Sequence, residues 1–251
     1  MAFRILDALS ASHRSMGLTE LAMQLGEQKP RMHRHLSTLK QVGVVVQDAR
    51  TGQYGLGGKL FALGEAALDQ FDLRWVADPY LTRLRDQTQQ TALLSVPANG
   101  EAVVLACVEY RDRLAITSRP GNRPPPHCSS QGRIALAFAD EEGRRRVLGR
   151  KLTAFTKYSI TDRAVIDERL RVIRERFYED AVDEIRIGIN AVSAPVFRDA
   201  GELVGIIGIV GTSAEIESPP PRTLITTLHR IAGALSAELG CRIYAERGLV
   251  K

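Results

Sequence analysis

Apolar residues fall at positions 3, 5, 6 and 9 of FRILDALSA, one stripe of a helix. After a break at Gly17, Leu18 and Thr19 the run ELAMQL predicts a second helix, with Thr19 as its N-cap and Gly26 as its end. Pro30 suits the first position of a third helix. The apolar residues of that helix, Met32, Leu36 and Leu39, lie at i, i+4 and i+7 and face a core. Beyond Gly43 the period shortens to two, and VVVQDARTGQYGL reads as two strands around a turn at Thr51 and Gly52. Three short helices, a tight turn before the third, and a two-stranded hairpin make a winged helix-turn-helix, whose third helix enters the major groove of DNA.

The stretch from Gly57 to Thr88 is helical in period, with Leu60, Phe61, Leu63, Ala67, Leu68 and Phe71 along one side. Such a helix packs within its own chain or against a copy of itself. Since one winged helix covers only a half-site, pairing through residues 58 to 75 is the functional expectation. Further on, TALLSVPANGEAVVLACVEY predicts a hairpin about Asn99 and Gly100, LAITSRPG a third strand, and NRPPPHC a turn that leads into a helix, SSQGRIALAFA. Thr161 and Asp162 cap a long charged helix, NAVSAPVFRDAGELVGIIGIVGT is a hairpin turning at Asp199, Ala200 and Gly201, and PPPRTLITTLHRIAGALSAELG closes as an amphipathic helix. The expected fold class is α+β: a winged helix-turn-helix over 1–58, a linker or dimerisation helix over 59–76, and an antiparallel-sheet sensor domain with flanking helices over 77–251.

Charge separates the same two parts. The net charge is +5, and residues 1 to 60 hold eight Lys or Arg against four acids, so most of the excess is N-terminal. The outward side of the third helix and the wing then become candidate DNA contacts: Lys29, Arg31, Arg34 and Thr38, with Arg50 and Gln53 on the wing. A basic run alone is most often a solvated helix face. Here helix spacing, the preceding turn and the wing all agree with it, so duplex operator DNA is the expected partner.

Other chemistry is sparse. Cys107, Cys128 and Cys241 are odd in number and widely spaced, which suits reduced thiols in a cytoplasmic protein and offers no zinc-binding pair. His33 and His35 point about 200° apart on a helix and cannot clasp one metal. Neither a metal nor a cofactor is expected. No apolar run approaches a membrane span, and MAFRILDAL lacks the features of a signal peptide. An enzyme would rest on Cys128, beside His127 at a helix start where a thiol is acidified, but adjacent residues rarely align as nucleophile and base. A ligand-independent DNA-binding protein is the other alternative.

Taken in order, GLTELAMQLG, MHRHLSTLKQVGVV, TGQYGLGGKLFALG, PPPHCSSQGRIALAF, YSITD and INAVSAPVFRDAGELVGIIGIVG resemble successive motifs of the IclR family of bacterial transcriptional regulators. The resemblance covers nearly the whole chain. It implies a homodimer, often a dimer of dimers, that binds operator DNA under control of a small molecule held in a GAF-like C-terminal domain. Pro30 and Arg31 stand where that family usually has Ser or Thr, and His35 where Leu is common. Ala191 replaces a usual cysteine, and Gly208 and Val210 replace common serines.

On the resemblance, one wall of the effector pocket is formed by Ala191, Ser193, Gly208 and Val210, small and apolar with one hydroxyl. The other is the turn and helix start at Cys128, Ser129 and Ser130, whose N–H groups and hydroxyls suit an anion. Asp183 and Glu184 read equally as acceptors for a ligand hydroxyl or as a solvated acidic edge. The expected effector is a small carboxylate with an apolar, even aromatic, body, seated carboxylate-first at residues 128 to 130.

Overall fold

The computed structural model describes residues 1–251 except 13, 70–71, 112–117, 200 and 251; the side chains of 65–69 and 72 are also outside the description. The chain forms two compact units, Met1–Asp72 and Leu73–Lys251.

In the first unit, helices α1 (Ala2–Ser12), α2 (Leu18–Gln24) and α3 (Lys29–Gln41) precede strands β1 (Val45–Gln47) and β2 (Tyr54–Leu56), and α4 (Gly58–Asp69) follows. Helix α2 begins one residue earlier than the sequence suggests. Gly17 is its N-cap and no side chain caps it, so Thr19 lies inside the first turn. Its end is as expected: Gly26 has φ +64°, and the Glu27 N–H turns back to the Ala22 carbonyl at 2.8 Å, a closure that needs a left-handed residue. Pro30 sits in the first turn of α3, where its missing N–H costs nothing. Met32, Leu36 and Leu39 are buried against Ile5, Leu9 and Leu21, and the wing adds Val45 and Tyr54 to the same core.

The 59–76 stretch belongs to two helices. Helix α4 lies in the first unit, while α5 (Asp72–Thr88) enters the second, burying Leu73, Ala77, Leu81 and Leu84. Leu73 therefore belongs to the sensor-domain core, while Trp75 beside it is exposed, as are Phe61 and Leu63 on α4. Ala67, Leu68 and Phe71 fall outside the described side chains.

The second unit is built on five antiparallel strands in the order β4-β3-β7-β6-β5: β3 (Thr91–Ala98), β4 (Glu101–Val108), β5 (Glu179–Val182), β6 (Ile189–Arg198) and β7 (Glu202–Thr212). The β3–β4 turn has Asn99 and Gly100 both at positive φ, as a two-residue hairpin requires. Half of LAITSRPG, expected to form a strand, lies outside the described residues, and the described half, 118–121, is not strand. Edge strand β5, which carries Glu179, has no counterpart in the sequence reading.

Paired residues share a face of the sheet. One row runs Leu93, Gly208, Ser193, Glu179, and the row beside it Thr91, Val210, Ala191, Ala181. Helix α6 (Ser130–Phe138) covers this face, with α7 (Glu141–Leu148) following it and α8 (Arg163–Arg176) packed against it through Ile166, Leu170 and Ile173. Asp162 caps α8 by accepting the N–H groups of Ala164 and Val165. Helix α9 (Arg222–Glu238) packs along β6, where Ser236 Oγ accepts the Phe197 N–H at 3.0 Å, and α10 (Ile243–Glu246) buries Tyr244.

Candidate functional site: a basic recognition helix and an effector cavity

Because Met32, Leu36 and Leu39 take α3 into the core, its opposite side is turned to solvent. Lys29, Arg31, Arg34 and Thr38 are all exposed there. Arg31 is loosely paired with Glu27 at 3.4 Å, and the Thr38 hydroxyl donates to the Arg34 carbonyl at 3.1 Å. On the wing, Asp48 organises the turn: its Oδ1 accepts the Arg50 N–H, the Thr51 N–H and the Thr51 hydroxyl at 2.9, 2.7 and 3.0 Å. These bonds, those from Thr51 first, hold the Asp48 carboxyl below its usual value. Arg50 and Gln53 consequently stand exposed on a pinned loop. Asp48 is the wing residue that sequence reasoning missed; an Asp three positions before Thr at a turn was its signal.

In the second unit, a cavity of about 360 Å³ opens between the start of α6, the 122–125 loop and the α6 face of the sheet. Ser129 caps α6, accepting from the Gly132 N–H at 3.0 Å and donating to the Pro125 carbonyl at 2.7 Å. Gly132 lets the proline run approach, since a Cβ there would lie 2.4 Å from Pro126 Cα. The Ser130 and Ser193 hydroxyls bond to each other at 2.8 Å across the cavity floor. Next to them, Ser95 donates to Gln131 Oε1 at 3.0 Å, which fixes the amide so that its NH₂ is the free end. Gln131 Nε2 is buried without a partner. The remaining lining is chiefly apolar, from Leu93, Val104, Pro124, Ile185, Ala191 and Val210, with Ser118 and Asn122 toward the rim. Its charged lining residue is Arg123, exposed at the rim and paired with Glu101 at 2.9 Å. Among the described residues no carboxylate lines the cavity.

Two family models match the chain: the bacterial transcriptional regulator IclR C-terminal domain over residues 65–237, and the IclR helix-turn-helix domain over residues 2–49. The chain belongs to the IclR family. It is a DNA-binding transcriptional regulator with an effector-binding C-terminal domain. Among its IclR relatives, the HTH-type transcriptional regulator KdgR of Escherichia coli K12 is 28% identical over 243 residues, 96% of this chain and 92% of the relative. BhcR of Paracoccus denitrificans is 34% identical over 212 residues, 84% of this chain and 75% of the relative. The crystal structure of the IclR regulator from Alicyclobacillus acidocaldarius superposes with a TM-score of 0.78 at 30% identity, covering 94% of this chain and 96% of that one. An IclR homolog from Microbacterium hydrocarbonoxydans, complexed with 4-hydroxybenzoate, shares the fold with a TM-score of 0.76 at 21% identity, covering 95% and 97%. No helix among the described residues is long and apolar enough to cross a membrane.

Of the IclR-domain residues expected to hold the effector, Ser129, Ser130, Ala191, Ser193 and Val210 line the cavity. Four others do not. Gly208 lies beneath Ser193, whose Oγ would be 2.2 Å from a Cβ at that position, so the glycine makes room for the hydroxyl. Cys128 is fully buried, and burial, reinforced by the charge of Glu184, pushes its thiol up to about 12. It is therefore a neutral core side chain; its neighbour His127 donates through Nε2 to the Thr153 carbonyl at 3.0 Å. Asp183 has φ +56° and closes its own loop by accepting the Gly188 N–H at 2.6 Å.

Glu184 is neither a solvated edge nor free to meet a ligand. Arg133, completely buried, grips it with two N–H···O bonds of 2.7 and 2.8 Å and reaches Glu179 with Nε at 2.6 Å. Its remaining two N–H groups go to the carbonyls of His127 and Asp180, so all five donors are used. Arg169 at 2.7 Å and Arg176 complete the charge balance at Glu179. Burial alone would lower the Arg133 pKa, but the Glu184 hydrogen bonds and both carboxylate charges hold it above the ordinary value. This network fixes the turn before α6 and the 183–188 loop that carries Ile185, two walls of the cavity. Gln131 and Arg133 were both missed from the sequence. Their signal was two polar residues inside an otherwise apolar helix, SSQGRIALAF.

Proposed function

We propose that this regulator responds to a small carboxylate with an apolar body, seated carboxylate-first at Ser129, Ser130 and Gln131. The observation that carries the reading is the unpaired donor at the inner end of the cavity. Gln131 Nε2 is a buried, unpaired donor in the first turn of a nine-residue helix, and among the described residues no carboxylate lines the cavity to compete for it. A buried unpaired donor is costly, and an anionic acceptor offsets that cost while meeting the helix dipole. The apolar strand side chains leave little to bind a compact polar acid. The Microbacterium fold neighbour is complexed with 4-hydroxybenzoate, an acid of this class.

Calorimetry on the full chain tests this directly. Benzoate-like acids should bind more tightly than glyoxylate or pyruvate, and Gln131→Leu should weaken benzoate about tenfold, the loss of one hydrogen bond to a charged group. Tighter binding of the small polar acids, or a Gln131→Leu protein that binds benzoate like the wild type, would refute the assignment. Cys128 serves no catalysis in this reading.

The DNA half of the proposal assigns Lys29, Arg31, Arg34 and Thr38 to the major groove, with Arg50 and Gln53 on the adjacent backbone. Two copies pair through α4, where Phe61 is 73% exposed, and their half-sites lie about one helical turn or a multiple apart on a near-palindromic operator. Phe61→Glu should shift the sedimenting species toward monomer and weaken operator binding without lowering the sensor domain's melting temperature. A dimer unchanged in both assays would move the interface off α4.

A further inference from the structure

The outer edge of the effector cavity carries apolar surface that a compact acid leaves uncovered. Ile185 lines the cavity and is still 40% exposed, and Ile187 on the same loop is 63% exposed. The neighbouring 153–160 segment presents Phe155 and Tyr158, each about half exposed. Its hydroxyls tie it to that loop: Thr156 Oγ1 donates to the Asp183 carbonyl at 2.7 Å and Ser159 Oγ to the Glu184 carbonyl at 2.6 Å. Glu184 is itself clamped by Arg133. Four large apolar side chains are thus held toward water by a braced frame rather than by a loose loop. Grouped apolar surface of this kind marks a binding site, and its continuity with the cavity through Ile185 identifies what binds there.

We infer that the effector is an elongated amphiphilic acid, an aryl- or alkyl-alkanoate. Its carboxylate sits at Gln131 and the start of α6, and its apolar chain leaves over Ile185 to lie along Ile187, Tyr158 and Phe155. This rests on the carboxylate reading above and extends it to the ligand's far end. The cavity favours length as well: about 360 Å³ lies in the range of pockets that take ligands larger than benzoate. Rim polar groups do not oppose the exit, because Asn122 Nδ2 is turned to the Ser118 hydroxyl and Arg123 to Glu101.

The test is a chain-length series, benzoate, 3-phenylpropanoate and 5-phenylpentanoate, titrated calorimetrically into the full chain. Each added methylene should raise affinity about threefold to fourfold until the exposed side chains are covered, at a stoichiometry of one per chain. Ile187→Ser combined with Tyr158→Ser, both at exposed positions, should cut the gain of the longest acid about tenfold and leave benzoate unchanged. If benzoate binds as tightly as the longest acid, the extended site is overturned while the carboxylate reading stands. If no acid of the series binds the folded protein, both fall. A chain-length gain that persists in the double variant overturns the extended site, and if that variant also sediments as a smaller species the patch belongs to a second copy of the chain.

Discussion

Replacing Arg133 by methionine should lower the stability of the sensor domain by about 3–5 kcal/mol, the cost of breaking a buried ion pair from one side. Glu179 keeps Arg169 and Arg176, but Glu184 is left in the interior with its charge uncompensated. For a domain of this size the loss corresponds to a fall in melting temperature of roughly 6–20 °C. Adding Glu184→Leu should recover part of the loss, because removing both charges is far cheaper than orphaning one. Arg133→Lys should fall between, since a lysine cannot supply two parallel bonds to Glu184 and a third to Glu179. A methionine variant melting within about 2 °C of wild type would show that the network contributes little, on the same scale. Effector affinity should fall with stability, because the His127 carbonyl and the Glu184 loop that Arg133 holds are part of the cavity's frame.

The other large effect is expected at the DNA. Arg31 and Arg34 stand exposed on α3 with no buried role, so their loss should leave the winged helix folded. At about 1 to 3 kcal/mol for each base-reading arginine, Arg31→Ala with Arg34→Ala should weaken operator binding by roughly 30-fold or more. A base-reading contact also carries discrimination, so the variant should separate operator from random duplex less well, whereas loss of a phosphate contact such as Arg50 on the wing should weaken both alike. If a dimer neutralises about six to eight phosphates, log K should fall against log salt with a slope of roughly −5 to −7, and losing a phosphate contact should make it shallower. Gel-shift or anisotropy titrations at several salt concentrations read both quantities. Wild-type affinity in the double variant would remove α3 as the reading helix.

Periodicity made the winged helix legible because its core is compact in sequence: Met32, Leu36 and Leu39 lie on one helix and all their buried core partners fall within residues 5–54. The same holds for the β3–β4 and β6–β7 hairpins, whose turns are local although each ladder shifts register once at a bulge, and for the cap at Asp162. Where the reading erred locally, at Thr19, two neighbouring residues competed for one cap, and Gly17 with its extended backbone took it. Similarly, helical period persists across 59–76, yet α4 ends at Asp69 and Leu73 turns into a different core.

The effector end shows the other limit. By itself the sequence determined the two domains, the basic recognition helix, the strands that present Ala191, Ser193 and Val210, and the family, because all of these follow from spacing between near neighbours and from the order of motifs. Only the tertiary structure decided that Glu184 is bound to Arg133, 51 residues away, and that Ser130 meets Ser193, 63 residues away. It also decided that Gln131 is pinned by Ser95 with its amide nitrogen buried and unpaired. An acidic residue in a loop reads the same whether it faces water or a buried arginine. The difference lies in what the fold carries to it, and packing across a sheet leaves no periodic trace in the chain.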